Sequence, residues 1–304
     1  MKLSADFIQF IQENPKLITM KESTRYPGLY VLKYTRKCFY DGIWNEYLTK
    51  ARGMIIDAEY NIVVYGFDKI FNHFENNTNI DRDVTVTAIK KINGFMACAT
   101  YVEGYGVIVS TTGSLDSDFV TLAEKYITPE NKGVIERYAP FMTFMFEICD
   151  NTDPHIIPEK EGAYLLGARK IGSTVDYTSD MAWEGWLDEA AMSMFDVKRP
   201  SWKVCRFSDI VVEANACNHE GFLVYSKDTA LKIKSPYYKI KKFMARKNPE
   251  KLLKLLDKPH VIKQTVEEEF FPLIDFLSAN KDVYSALTEQ ERLRYIEEFL
   301  QETT

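Results

Sequence analysis

The chain has 304 residues, 46% of them hydrophobic, and a formal net charge of −6. That length accommodates one large domain or two of ordinary size, and the negative balance argues against a nonspecific nucleic-acid coat protein while leaving local basic patches open. Five scattered cysteines without a C-x-x-C pair and four unclustered histidines disfavour a disulfide framework and a zinc site, and they point to a reducing compartment.

In chain order, Phe7, Ile8, Phe10 and Ile11 interleaved with Gln9 and Gln12 predict a short amphipathic helix rather than a leader. Period-2 runs follow at 28–34, 53–57, 61–67, 84–89, 94–102 and 106–112, rich in β-branched and aromatic residues. The pairs 53–57/61–67 and 94–102/106–112 are close enough to form antiparallel hairpins. Residues 116–127 begin with acidic caps and carry Phe119, Leu122, Ala123 and Tyr126 at helical spacing. Further strands are expected at 141–149, 163–168, 220–225 and 230–234. The 141–149 run contains Glu147 and is too short to span a bilayer, so a soluble protein is expected. Strands and helices mixed without a regular βαβ alternation predict an α+β fold on antiparallel sheets.

After Pro236 the pattern becomes helical, with Leu252, Leu253, Leu255 and Leu256, then Phe270, Ile274 and Leu277, then Leu293, Ile296 and Leu300. Residues 232–263 hold eleven Lys or Arg against two acids, a local +9, whereas residues 264–304 hold ten acids against three bases. A solvated helical face is the plain explanation of such a run; a surface for an anionic ligand is the functional one. The expected division is a domain over 1–240 followed by a small all-helical domain over 241–304.

No G-x-x-x-x-G-K-[ST] occurs, and Gly104-Tyr105-Gly106 lacks the third glycine of a dinucleotide fingerprint, so a nucleotide would be held by other means. Four elements recur in order: Lys91-Ile92-Asn93-Gly94, Glu147 inside an apolar strand, Glu220-Gly221, and Lys232-Ile233-Lys234. Lys232 and Lys234 share one strand face, which is costly if buried unless an anion sits there. Edge lysines that deter aggregation, an exposed edge strand and a buried salt bridge at Glu147 are the structural alternatives.

That order resembles the covalent nucleotidyltransferase superfamily of polynucleotide ligases and mRNA capping enzymes. With "ARGMIID" (51–57), "DKIFNHFE" (68–75), "STTGSLDSDF" (110–119), "LGARK" (166–170) and "KIKSPYY", it is similar to the bacteriophage T4 RNA ligase 1 group over roughly residues 25–240. Asn93 stands where most ligases carry Asp, a departure shared with fungal tRNA ligases. The register makes Lys91 the nucleophile and places Lys90 on the opposite strand face. Lys232 and Lys234 would bind the α-phosphate, offset transition-state charge and depress the pKa of Lys91. The resemblance implies Glu220 as the carboxylate acting on Mg²⁺ or Mn²⁺, Glu147 on a ribose hydroxyl, and Arg52 and Lys69 on the β- and γ-phosphates of ATP. Phe222 and Tyr164 are candidates for adenine stacking.

The implied function is an ATP-dependent RNA ligase. It would join 5′-phosphate and 3′-hydroxyl RNA ends through a lysyl-AMP and an adenylylated RNA end, in RNA (tRNA) repair. A cytoplasmic location is expected, the host cytoplasm if the chain is phage-encoded, and a monomer. The alternatives are a capping guanylyltransferase or DNA ligase with the same lysine chemistry, or a non-catalytic RNA-binding protein using the basic block. No oligonucleotide-binding barrel is visible after residue 240, which favours the RNA ligase.

Overall fold

A computed structural model of the chain describes residues 1–138, 142–172, 180–246, 252–254 and 256–302; the side chains of 244–246 and Glu289 are outside the described set. Two compact units divide it, Met1–Ile70 with Ile92–Trp202, and Phe71–Lys91 with Lys203–Thr304.

The first unit carries two sheets. One is a meander of Ile18–Glu22, Leu29–Tyr34, Arg52–Asp57 and Ile62–Val64, antiparallel throughout. The Ala5–Glu13 helix starts where the Ser4 hydroxyl accepts from the Phe7 N–H at 3.2 Å. It buries Phe7 and Ile11 against Ile18, Leu32 and Ile56. The run expected over 61–67 ends early because the Tyr65 N–H donates to the Thr143 hydroxyl at 3.1 Å instead of continuing the ladder.

The second sheet has the order Val197–Lys198, Gly162–Lys170, Met142–Cys149, Phe95–Val102, Gly106–Thr111. Its central strand is buried at every position after Met142, so it reads as one apolar run rather than an alternation. Phe141, included in the expected strand, lies outside the described residues. Helices Pro129–Arg137 and Met181–Met192 cover this sheet through Val134, Ile135, Leu187 and Ala190 on Phe144 and Phe146.

The second unit is a sheet of Trp202–Arg206, Thr85–Lys90, Gly221–Tyr225, Ala230–Lys234 and Phe71–Asn72. The three inner strands pair antiparallel, and Phe71–Asn72 joins the edge in parallel. Helix Phe207–Ala216 packs Phe207, Ile210 and Ala214 onto Val86, Ala88, Val224 and Ile233. Helices Pro236–Arg246, Pro259–Lys263, Phe271–Ala279, Lys281–Ala286 and Glu289–Glu302 follow. They bury Phe243, Leu252, Leu256, Phe270, Ile274, Leu277 and Ile296 in a cluster of their own. Leu255, also expected in this apolar set, lies outside the described residues. The fold is thus α+β, rich in antiparallel sheet, and no helix of the described residues is long and apolar enough to cross a membrane.

Candidate active site

The expected site residues fall into two groups, one in each unit. In the second unit, Thr85–Lys90 and Gly221–Tyr225 pair so that the Lys91 N–H donates to the Gly221 carbonyl at 2.9 Å. This brings the Lys91 ammonium 3.0 Å from a Glu220 carboxylate oxygen, with the side chains 25% and 3% exposed. The other Glu220 oxygen lies 3.7 Å from the Lys234 ammonium. Glycine is required after Glu220: Gly221 has φ +128°, and a Cβ there would meet the Ile233 carbonyl oxygen at 2.0 Å.

The electrostatics of the pair follow from burial against charge. Burial would raise the Glu220 carboxyl, but Lys91 and then Lys234 outweigh it and hold the group below the ordinary carboxylate range. Burial would likewise lower Lys234, and Glu269 and Glu220 reverse that and hold its ammonium above the usual lysine value. Lys90 is partnered in the ladder with Phe222, and Lys91 makes the ion pair with Glu220. Lys232 lies two residues before Lys234 on the same strand, opposite Leu223 and Asn72. Phe222 is 5% exposed and packs among Ala88, Val224 and Ile233, with the His219 ring edge-on at 4.9 Å. Its ring is taken up by the core.

Glu269 joins this cluster from outside the four motifs. Its carboxylate makes a short ion pair with Lys234 and lies 3.1 Å from the Lys242 ammonium, and its side chain is 5% exposed. Lys242 also pairs with Glu267. Half-buried Lys239 is pushed down to about 8, by burial first, with Lys234 adding to the effect against Glu269. No local signal marks Glu269, which stands in the acidic run 267–269 that reads as a solvated face.

In the first unit, Glu147 is 7% exposed and accepts from the Gly94 N–H at 3.0 Å. A Cβ at Gly94 would meet the Ile148 carbonyl oxygen at 2.2 Å, so the Asn-Gly of the motif is a packing demand as well. The Asn93 side-chain oxygen accepts from the Ile157 N–H at 2.9 Å. A carboxylate would supply the same acceptor. Tyr164 sits opposite Glu147 in the ladder and donates its hydroxyl to the Lys160 carbonyl at 2.8 Å. Arg52 has one guanidinium nitrogen 3.4 Å from the Met96 sulfur. Lys69 is 8% exposed, its ammonium 4.8 Å from the Phe39 ring centre and 4.6 Å from that of Trp44.

Among the described residues no group of three or more His, Cys, Asp or Glu could hold a metal ion. Glu220, a single carboxylate between two ammonium groups, fits a hard divalent ion in the mode in which substrate phosphates and water fill most of the octahedron.

A sequence model of a family described as RNA ligase matches residues 50–241, about two thirds of the chain and all the site residues named from the sequence. The chain belongs to the RNA ligase family. It is an enzyme of the covalent nucleotidyltransferase superfamily. Comparison with curated protein sequences gave no match. Among solved structures, one form of an archaeal ATP-dependent RNA ligase is similar with TM-score 0.58 and 12% identity, over 99% of this chain and 76% of that one. A second form gives 0.56 and 13%, over 97% and 75%. A putative ATP-dependent DNA ligase from Aquifex aeolicus gives 0.54 and 14%, over 97% and 77%. At such identities these likenesses concern the fold.

Proposed function

We propose that this RNA ligase is ATP-dependent and joins 5′-phosphate to 3′-hydroxyl RNA ends through a lysyl-AMP on Lys91. The reading is carried by one observation: Lys91, Glu220 and Lys234 meet in the order Lys-x-Asn-Gly, Glu-Gly, Lys-x-Lys within a chain of this family. The Lys91 ammonium, its side chain 25% exposed, first gives up a proton to solvent water. Its Nζ then attacks the α-phosphorus of ATP, the bond to the β-phosphate oxygen breaks, and pyrophosphate leaves. A 5′-phosphate oxygen of the RNA next attacks the phosphoramidate phosphorus, the P–N bond breaks, and the amine recovers a proton. The 3′-hydroxyl finally loses its proton as it attacks the 5′-phosphorus of the activated end, and AMP departs.

Lys232 and Lys234 place fixed positive charge where the α-phosphate gains negative charge in the transition state. Arg52 and Lys69 bind the β- and γ-phosphates, Arg52 through a planar fork and Lys69 as a point charge over aromatic faces. Glu147, which accepts from the Gly94 N–H, also accepts from a ribose hydroxyl. Glu220 would hold Mg²⁺ or Mn²⁺, which would supply Lewis acidity to the phosphoryl transfer.

Residues 1–240 serve as the adenylation domain and 241–304 as a helical domain that places RNA, supported by the local +9 over 232–263. The natural substrate is cleaved RNA, tRNA included, and the enzyme acts as a monomer in the cytoplasm. The test is to incubate the protein with α-labelled ATP or GTP and a divalent cation and to isolate denaturation-resistant label. A label from ATP followed by sealing of RNA supports the reading. A label from GTP alone contradicts it in favour of guanylyl transfer, sealing of DNA but not RNA contradicts it in favour of a DNA ligase, and no label with either nucleotide overturns it.

A further inference from the structure

Glu269 lies 35 residues beyond Lys234, at the start of the Phe271–Ala279 helix, yet it is the acid most intimately bound to that lysine. Its two oxygens divide between Lys234 and Lys242, with the side chains 9%, 8% and 5% exposed for Lys234, Lys242 and Glu269. An ammonium has three N–H donors. On Lys234 one is committed to Glu269, the Glu220 oxygen lies 3.7 Å away in a second direction, and the Tyr238 ring centre lies 5.2 Å away. Such partners fix both the position of the nitrogen and its rotation. Without Glu269, the nearly buried ammonium groups of Lys234 and Lys242 would each lose a carboxylate partner.

We propose that Glu269 is a positioning residue for adenylation: it aims the Lys234 ammonium at the α-phosphate, so the C-terminal helical segment completes the adenylation centre. The proposal rests on the reading of Lys234 as the cation that stabilises phosphoryl transfer. It goes beyond the expectation that the tail serves RNA placement, because it gives that tail a part in the first chemical step. The competing arrangement, in which Glu269 occupies the phosphate's place and must be displaced by ATP, gives the opposite kinetic sign.

The test uses the full chain with Glu269→Gln, Glu269→Asp and Lys234→Ala, alone and Gln combined with Ala, measuring single-turnover lysyl-AMP formation across ATP concentrations. Because Glu269 acts on the transition state through Lys234, Glu269→Gln should slow adenylation about 10-fold or more, the scale of losing a group that orients a functional residue. The ATP concentration for half-maximal rate should stay within about twofold, since uniform binding is not what is lost. Glu269→Asp, which keeps the charge but retracts it, should fall between wild type and Gln. In the Lys234→Ala background the Gln change should add no further loss. A wild-type rate in a folded Gln variant, a faster rate or tighter ATP use, or a full additive loss in the Lys234→Ala background each overturns the proposal. Should the Gln variant not fold, a wild-type rate in Glu269→Asp overturns it equally, and a slower one at unchanged half-saturation supports it. If Lys234→Ala itself adenylates normally, the reading of Lys234 fails first, and the inference with it.

Discussion

The two units hold a buried lysine in two different ways. In the first, the Lys69 ammonium rests over the faces of Phe39 and Trp44, which stand edge-to-face at 5.4 Å. In the second, Lys234 is bound by Glu269 and Glu220. An aromatic face stabilises a cation without itself neutralising it. Carboxylates stabilise more strongly but compensate the charge, so what they give Lys234 is alignment and permanent protonation. The first arrangement suits binding of outer phosphates; the second suits a transition state, where direction counts more than net charge.

The largest effect expected from this contrast is at the centre of the carboxylate-bound cluster. Lys91→Ala should abolish the AMP adduct, and Lys90→Ala should leave it largely intact, measured as denaturation-resistant label. Lys234→Ala and Lys232→Ala should each slow single-turnover adenylation by about 10²–10³ with little change in ATP affinity. Unchanged adenylation in both would remove the role assigned to that strand. On the aromatic side the effect should be smaller and of the other kind. Trp44→Leu should raise the ATP concentration for half-maximal adenylation about 3- to 10-fold, the loss of roughly 0.5–1.5 kcal/mol of cation–π stabilisation, with the limiting rate nearly unchanged. A fall in limiting rate at constant half-saturation would make the two lysines alike and break the comparison. Smallest per residue is the surface electrostatics of the tail: reversing charge at Lys247, Lys251 and Lys254 should weaken RNA binding and flatten its salt dependence by about one counterion per lost contact. Lys254 is exposed, while Lys247 and Lys251 lie outside the described residues. Normal sealing with an unchanged salt slope would remove RNA placement from the roles assigned to the tail.

How far the sequence carried the argument differs between these regions. Alternation marked the strands because half-buried strands write a period of two, and the hairpins at 53–64 and 95–111 are those expected from short connections. The spacing of Lys-x-Asn-Gly and Glu-Gly was legible because each glycine is fixed by a backbone approach, Gly94 to Ile148 and Gly221 to Ile233. The exit of Tyr65 from its strand was not legible, since it depends on a hydroxyl 78 residues away. The partners that hold the two lysines were hidden for the same reason. Trp44 and Phe39 lie in a turn-rich segment with no catalytic pattern, and Glu269 sits in an acidic run whose plain reading is a solvated helix. Pairing across the fold leaves no period in the sequence. Phe222, a candidate for stacking on the base, packs among Ala88, Val224 and Ile233, neighbours that no local period announces.

The central claim is that Lys91, bound to Glu220 at 3.0 Å, is the residue that carries the nucleotide. The most direct measurement is to load the wild-type protein with ATP, digest it under conditions that preserve a phosphoramidate, and sequence the modified peptide by mass spectrometry. The account predicts a single AMP on the Lys91 nitrogen and none on its neighbour Lys90. An AMP on Lys90, on Lys232 or Lys234, or on no lysine at all would contradict it.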